Sequence, residues 1–427
     1  MKIALISEHA SPLAAPGGVD SGGQNVYVAQ VASQLARRGH QVDVFTRRDR
    51  TDRLPVVPLS ANLRVIHIPA GPPRFIAKEA LLPYMAEFGE RLADYCTPER
   101  RPYDVVHANF FMSGLAALYL RRQLGLPFVI TFHALGKVRR QHQGAADGFP
   151  PERTTIEEEL VSEADRIIAE CPQDRDDLIH LYAADPARVD IVPCGFDPGE
   201  LGPGQRSLRH QFGLTDDDFV ILQLGRLVPR KGIDNIIHGI AVLRRDYGVA
   251  AKLLVVGGES NLPDPALTPE IGRLAAIAEA EDVRRQVIFT GQRPRHLLRE
   301  FYCAADVFVT TPWYEPFGIT PLEAMACGCP VIGANVGGIK YSVVDNVTGY
   351  LVAPRDPIAL AERLARLRCN PELGRAMGRA GIRRVRAGFT WQQITTQLLA
   401  VYAAVQLPLP VPVPQVLPMA AAGMARS

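Results

Sequence analysis

Short apolar, β-branched runs alternate with longer amphipathic stretches from one end of the chain to the other. Apolar runs of ~4–8 residues have the length of buried strands, and apolar spacing near 3.6 over a dozen residues is that of a helix packed on one face. Strand candidates in the first half lie at residues 2–7, 41–46, 63–68, 104–108, 127–132, 166–170 and 189–192. Helical patterns separate them, such as 24–38, closed by Gly39, and 81–94. The pattern breaks at Pro193-Cys194-Gly195-Phe196-Asp197-Pro198-Gly199, and a second series follows with strand candidates at 219–224, 252–256, 286–290, 306–309 and 330–332. Strands alternating with helices predict parallel sheets covered on both faces. The α/β chain is therefore expected to form two Rossmann-like doubly wound domains facing across a cleft, the usual ligand site of such folds. The expected divisions are a first domain over residues 1–195, a second over 196–388, a last helix within 389–405, and a Pro-rich tail over 406–427, extended or unstructured.

Composition narrows the class. The 427 residues are 47% hydrophobic and 22% charged, with a net charge of +2, which fits a soluble globular protein and not a general nucleic-acid binder. The apolar run at the N-terminus is too short for a signal-peptide core, and no stretch approaches the ~20 residues of a membrane span. The seven cysteines are scattered; Cys327-Gly328-Cys329 lacks the spacing of a zinc site or a CxxC motif, and a reducing cytoplasm is the expected setting.

Candidate chemistry concentrates where Glu315 and Glu323 stand across the turn Pro316-Phe317-Gly318-Ile319-Thr320-Pro321. Thr320, Pro321 and Glu323 fit an N-cap, a first helical residue and a capping-box acid, with Glu315 on the loop before them. Two acceptor-only carboxylates so placed can hold sugar hydroxyls, and adjacent backbone N–H groups can face phosphate. Glu323 can equally serve only as a cap. Gly17-Gly18-Val19-Asp20-Ser21-Gly22-Gly23-Gln24-Asn25 lets backbone approach a ligand at a helix start, although its spacing is not that of a dinucleotide fingerprint and a plain loop fits it too. Arg226 and Lys231 lie on a turn after a strand and together can neutralise a diphosphate leaving group; a solvated basic turn has the same composition. His133 ends a strand candidate at the same edge, a place where a lone His is often structural. Lys78, Lys137 and Arg153 are candidates for an anionic acceptor group, and Trp313, Tyr314 and Phe317 for stacking or for core packing.

The Glu315-x(7)-Glu323 spacing, with Pro-Phe-Gly behind the first Glu, resembles the signature of retaining glycosyltransferases of the sucrose-synthase-like family, glycosyltransferase family 4. Gly225-Arg226 with Lys231-Gly232 resembles its diphosphate-binding pattern, and Gly22-Gly23-Gln24 the loop of sucrose and sucrose-phosphate synthases. Gly23 with Asn25 also resembles the loop of inositol-phosphate glycosyltransferases, and Gly337-Gly338-Ile339 and Gly349-Tyr350-Leu351-Val352 resemble further landmarks near the donor. The resemblance spans roughly residues 1–405. It implies the GT-B architecture, with the last helix crossing back onto the first domain, the nucleotide sugar on the second domain and the acceptor on the first. It implies a catalytic set of His133, Glu315, Arg226 and Lys231: the two cations on diphosphate, Glu315 and His133 on the donor hexose. Glu323 would hold the ribose, Gly23 the reacting face, and Phe317, Gly318 and Ile319 would flank the donor. Gln24, Asn25, Lys78, Lys137 and Arg153 would face the acceptor. Phe110 and Ala134 stand where the inositol-phosphate enzymes have Tyr and Thr, so two hydroxyl donors to an acceptor phosphate are missing; Lys137, placed as in sucrose-phosphate synthases, can supply charge there.

The implied activity is transfer of a hexose, with retention, from a nucleoside-diphosphate sugar to a small sugar or polyol, phosphorylated or not. No metal or other cofactor is expected, Arg226 and Lys231 taking the place of a divalent ion. One alternative keeps the chemistry but uses a lipid or polysaccharide acceptor, with Arg121-Arg122, Arg139-Arg140 and the apolar tail facing a membrane. Another is a nucleotide-sugar epimerase or a non-catalytic binder on the same architecture.

Overall fold

The computed structural model describes residues 1–14, 22–97 and 103–406. Gly17 to Ser21 of the glycine-rich segment, and the tail from residue 407 on, lie outside the described residues. The first sheet contains β1 (Lys2–Ile6), β2 (Gln41–Arg47), β3 (Val56–Ser60), β4 (Leu63–Ile68), β5 (Val105–Asn109), β6 (Phe128–Thr131), β7 (Arg166–Ala169) and β8 (Val189–Ile191). Its order is β3-β4-β2-β1-β5-β6-β7-β8. The second contains β9 (Phe219–Leu224), β10 (Ala251–Val256), β11 (Val287–Gly291), β12 (Val307–Thr310), β13 (Val331–Ala334) and β14 (Gly349–Val352), in the order β11-β10-β9-β12-β13-β14. Ile3 to Ile6 and Val220 to Leu222 are buried on both faces, which is why these inner parallel strands read as continuous apolar runs.

Helices α1 (Gly23–Arg37), α2 (Met85–Cys96), α3 (Phe111–Leu124), α4 (Gly136–Gln143), α5 (Glu152–Glu163) and α6 (Pro172–Tyr182) accompany the first sheet. The second carries α7 (Ile233–Tyr247), α8 (Pro269–Ala280), α9 (Leu298–Ala304), α10 (Ile319–Ala326), α11 (Ile339–Ser342), α12 (Pro357–Cys369) and α13 (Pro371–Gly388). The molecule is thus two doubly wound units facing across a cleft. Two strands were not anticipated. β3 pairs antiparallel at the sheet edge, and its Pro58 and exposed Leu59 blur the apolar pattern. β14 is short, and its Gly349 backbone packs where a Cβ would meet the Val331 carbonyl at 1.9 Å.

The last helix, α14 (Trp391–Gln406), packs on α1 and β5 of the first unit. Trp391 is fully buried, its ring 5.9 Å from that of Tyr27, and Gly195 leaves it room: a Cβ there would stand 2.9 Å from the indole. Tyr402 Oη lies 2.7 Å from His107 Nδ1 on β5, and burial pushes that imidazole down to about 3, so the link is neutral. The two chain crossings between the units hold each other. Phe196 N–H donates to the Phe389 carbonyl at 2.8 Å, and Trp391 N–H to the Phe196 carbonyl at 3.1 Å. Among the described residues no helix is long and apolar enough to cross a membrane.

Candidate active site

Strand order reverses at β1, between β2 and β5, and again at β9, between β10 and β12. Loops leaving such switch points diverge and open a crevice at the strands' carboxyl ends. The two crevices face each other here and form one cavity of about 740 Å³. Its first-domain wall carries His9, Gly22 to Asn25, Lys78, Phe110, His133, Arg139 and Glu170; its second-domain wall carries Arg226, Lys231, Arg295, Tyr314 to Thr320 and Glu323.

On the second-domain wall the turn after β9 docks on the exit of β12. A Cβ at Gly232 would sit 2.0 Å from the Thr311 carbonyl, and Trp313 N–H donates to the Arg230 carbonyl at 2.9 Å. This docking brings Lys231 Nζ to 2.5 Å and Arg230 Nη1 to 3.5 Å from Glu315 Oε2. Burial works to raise the Glu315 carboxyl, but Lys231, Arg230 and Arg226 together hold it at about 2. Burial likewise brings Lys231 down to about 8, against the pull of Glu315. The Glu315 backbone is fixed from behind, since Gly338 N–H donates to the Pro316 carbonyl at 3.1 Å and a Cβ at Gly337 would lie 1.8 Å from the Glu315 carbonyl.

The helix bearing Glu323 begins at Ile319 with Gly318 as N-cap (φ 89°), not at Thr320, and it has no side-chain cap. Gly318 supplies the positive φ that turns the loop into the helix, leaving Thr320 inside it. Glu323 is therefore not a capping-box acid. Its carboxylate, 2% exposed, accepts from Arg295 Nη1 at 2.9 Å and from the Tyr302 hydroxyl at 2.8 Å. Arg295 was not singled out from the sequence, although it follows β11 at the same carboxyl edge as the other site residues.

On the first-domain wall, Phe110 (φ 89°) and His133 (φ 57°) adopt the left-handed region that non-glycine residues rarely occupy, both at the strand ends facing the cavity. His133 Nδ1 lies 3.0 Å from Glu170 Oε1 and Nε2 lies 3.1 Å from Asn109 Oδ1. Asn109 Nδ2 donates to the Ile6 and His107 carbonyls, so its Oδ1 is the atom facing His133 Nε2. The ring is held at both nitrogens. Gln24 Nε2 donates to the Asn109 carbonyl at 3.1 Å, and Asn25 caps α1 by accepting from Gly22 N–H at 2.9 Å. A Cβ on Gly22 would stand 3.4 Å from Arg226 Nε and one on Gly23 3.8 Å from Ile319 Cδ1, so the start of α1 rests on the opposite wall.

Lys137 and Arg153, expected at the acceptor, do not line the cavity. Lys137 Nζ turns away to the Leu181 carbonyl (2.5 Å) and Glu158 (2.7 Å), over the ring of Tyr182. Arg153, 1% exposed, is buried behind Phe110 and Phe149 with Nε on Glu157 at 2.7 Å. Arg139 takes their place on the wall, its guanidinium aimed by Asp147 (Nη2 to Oδ1, 2.8 Å). It thus faces the cleft and not a membrane, while Arg121 and Arg122 pair with Asp165 and Glu159. One turn further on, Gln143 Nε2 donates to the Tyr314 hydroxyl at 2.8 Å and His142 stacks on that ring at 5.1 Å, clasping the two walls together. Tyr314 is thereby committed, as is Trp313, whose ring lies 4.1 Å beneath the Arg355 guanidinium.

Residues 204–384 match the model for glycosyl transferases group 1, and residues 21–200 that for Glycosyltransferase Family 4. The D-inositol 3-phosphate glycosyltransferase of Actinosynnema mirum is 39% identical over 94% of this chain and 96% of its own length. The chain belongs to glycosyltransferase family 4. The Corynebacterium efficiens D-inositol 3-phosphate glycosyltransferase is 36% identical over 94% of the chain and 95% of its own. Among solved structures, sucrose-phosphate synthase from Thermosynechococcus elongatus superposes with a TM-score of 0.86 at 33% identity, covering 95% of this chain and 99% of that one. As a family 4 glycosyltransferase the protein is a retaining, nucleotide-sugar-dependent hexosyltransferase of GT-B architecture.

Proposed function

We propose that this glycosyltransferase moves a hexose from a nucleoside-diphosphate sugar on the second-domain wall to a phosphorylated small sugar or polyol on the first. The observation that carries this reading is that Lys78 and Arg139 line the first-domain end of the same cavity whose other end holds Arg226, Lys231 and Glu323. The named relatives support it, being D-inositol 3-phosphate glycosyltransferases and a sucrose-phosphate synthase. Arg226 and Lys231 take the diphosphate, Glu323 the ribose, and Glu315 with His133 the hexose. As the sugar–oxygen bond breaks, charge builds on the diphosphate, where fixed cations in a sheltered cleft stabilise it. Glu315 is committed to Lys231 and Arg230, and Glu170 to His133. This leaves a diphosphate oxygen to take the acceptor's proton while the new bond forms on the same face, which retains configuration. The cations supply the charge a divalent ion would, so chelators are expected to leave turnover unchanged. The cytoplasm is the expected workplace.

Calorimetric titration with UDP, GDP, ADP and NAD in parallel tests the donor side, and binding of none of the nucleoside diphosphates sinks it. Turnover with a sugar phosphate beside its dephosphorylated twin tests the acceptor side; equal rates remove the phosphate from the reading.

A further inference from the structure

We propose that Arg295 is a positioning residue for the donor: it holds the Glu323 carboxylate ready for the ribose hydroxyls, and Glu200, on the chain crossing between the two units, holds Arg295 in turn. This role rests on the assignment of Glu323 to the ribose and extends it to two residues outside the Glu315-x(7)-Glu323 spacing.

Arg295 opens a short turn, Arg295–Leu297, that follows β11. Its guanidinium serves two carboxylates from distant parts of the chain. Nη1 donates to Glu323 Oε1 at 2.9 Å, and Nε to Glu200 Oε2 at 2.8 Å. Glu323 Oε2 accepts from the Tyr302 hydroxyl at 2.8 Å, so each of its oxygens is held by one donor. An ionised carboxylate offers about four lone-pair sites, which leaves about two for a vicinal pair of hydroxyls. Arg295 and Glu323 both line the cavity.

The far end of this chain of contacts is fixed as well. Glu200 N–H and Leu201 N–H donate to the Asp197 carbonyl at 3.2 and 2.9 Å, directly after the Phe196 that ties the two crossings together. Arg295 Nη2, by contrast, is buried without a hydrogen-bond partner among the described residues. A stranded donor is costly, and the side chain keeps this pose because the two acids claim Nε and Nη1. Only a planar fork can serve both acids at once. A Lys ammonium would keep the charge but not the spread of donors.

Calorimetry on the full-length protein tests this, with whichever of UDP, GDP and ADP binds titrated beside its 2′,3′-dideoxy analogue. The unmutated protein should prefer the full nucleotide; equal affinities would remove the ribose from Glu323 and take the positioning role with it. Given that preference, Arg295→Lys should weaken the full nucleotide roughly tenfold and leave the analogue unchanged, so the preference collapses. Equal losses for both nucleotides would make Arg295 a structural residue only and overturn the proposal. Glu200 is half-exposed, so Glu200→Gln keeps a folded protein in hand should the Lys variant not fold. Its loss should be roughly threefold and again confined to the full nucleotide. No change in Glu200→Gln, or an equal loss for the analogue, overturns the link from the crossing to the ribose.

Discussion

Lys231 Nζ stands 2.5 Å from Glu315 Oε2, so two groups 84 residues apart in the chain form one ion pair on the second-domain wall. The sequence assigns them to different parts of the donor, the cation to diphosphate and the acid to hexose. The structure makes them partners, and a bound diphosphate would share Lys231 with Glu315. Each therefore sets the charge state and position of the other.

Lys231→Ala should lower kcat by roughly two to three orders of magnitude, the ~3–4 kcal/mol of one well-placed transition-state donor. Steady-state rates with the matched nucleotide sugar check this. Near-normal turnover would take Lys231 out of the site.

Burial brings Lys231 down to about 8, while Glu315 at about 2 stays ionised throughout the working range. The ammonium is present below about 8 and is lost as pH rises through it, so kcat/KM for the donor should fall on the basic side with a midpoint near 8. The stability contribution of this group has the opposite slope. Above its folded value and below its ordinary one, the unfolded chain binds more protons, so folding is favoured as pH rises. In Lys231→Met both trends should disappear from the difference against the unmutated protein, measured by pH–rate profiles and urea melts.

Gly337→Ala puts a Cβ where the Glu315 carbonyl stands, at 1.8 Å, and at a positive φ of 42°. The loop carrying Glu315 must move, so nucleotide affinity should drop at least tenfold while circular dichroism still reports a folded protein. Unchanged affinity by calorimetry would mean that the loop is not part of the donor site.

Arg295→Leu leaves the Glu323 carboxylate buried with the Tyr302 hydroxyl still donating to it but its cation gone. Breaking a buried pair costs ~3–5 kcal/mol, and partial exposure of Arg295 places the expected loss near ~2–3 kcal/mol. Denaturant unfolding measures it. Adding Glu323→Gln should recover part of the loss, because the stranded charge is gone.

Arg139→Gln removes a cation that Asp147 holds at the first-domain end of the cavity. If it meets an acceptor phosphate, kcat/KM for the phosphorylated acceptor should fall roughly tenfold to a hundredfold, the ~1.5–3 kcal/mol of a charged hydrogen bond. The dephosphorylated twin should be little affected. Equal losses for both would assign Arg139 to holding the Asp147 loop instead.

The chain's own pattern determined the two α/β units, the inner strands and the turn residues Arg226, Lys231, Glu315 and Gly318, because burial on both sheet faces and turns at strand ends are local, periodic demands on residue type. Edge strand β3 stayed hidden because an edge is only half buried, and Pro58 weakens its signal. What tertiary structure alone decided was which cations face the cleft. Lys137, Arg139 and Arg153 share a sign and a neighbourhood in sequence, yet one turns to Leu181 and Glu158, one is aimed by Asp147 into the cavity, and one is buried behind Phe110 and Phe149. Likewise, only packing gives Glu323 to Arg295 and Tyr302 and makes Gly318 the helix cap in place of Thr320. Side-chain direction depends on partners distant in the chain, and a long flexible cation points wherever a carboxylate or carbonyl is fixed to receive it.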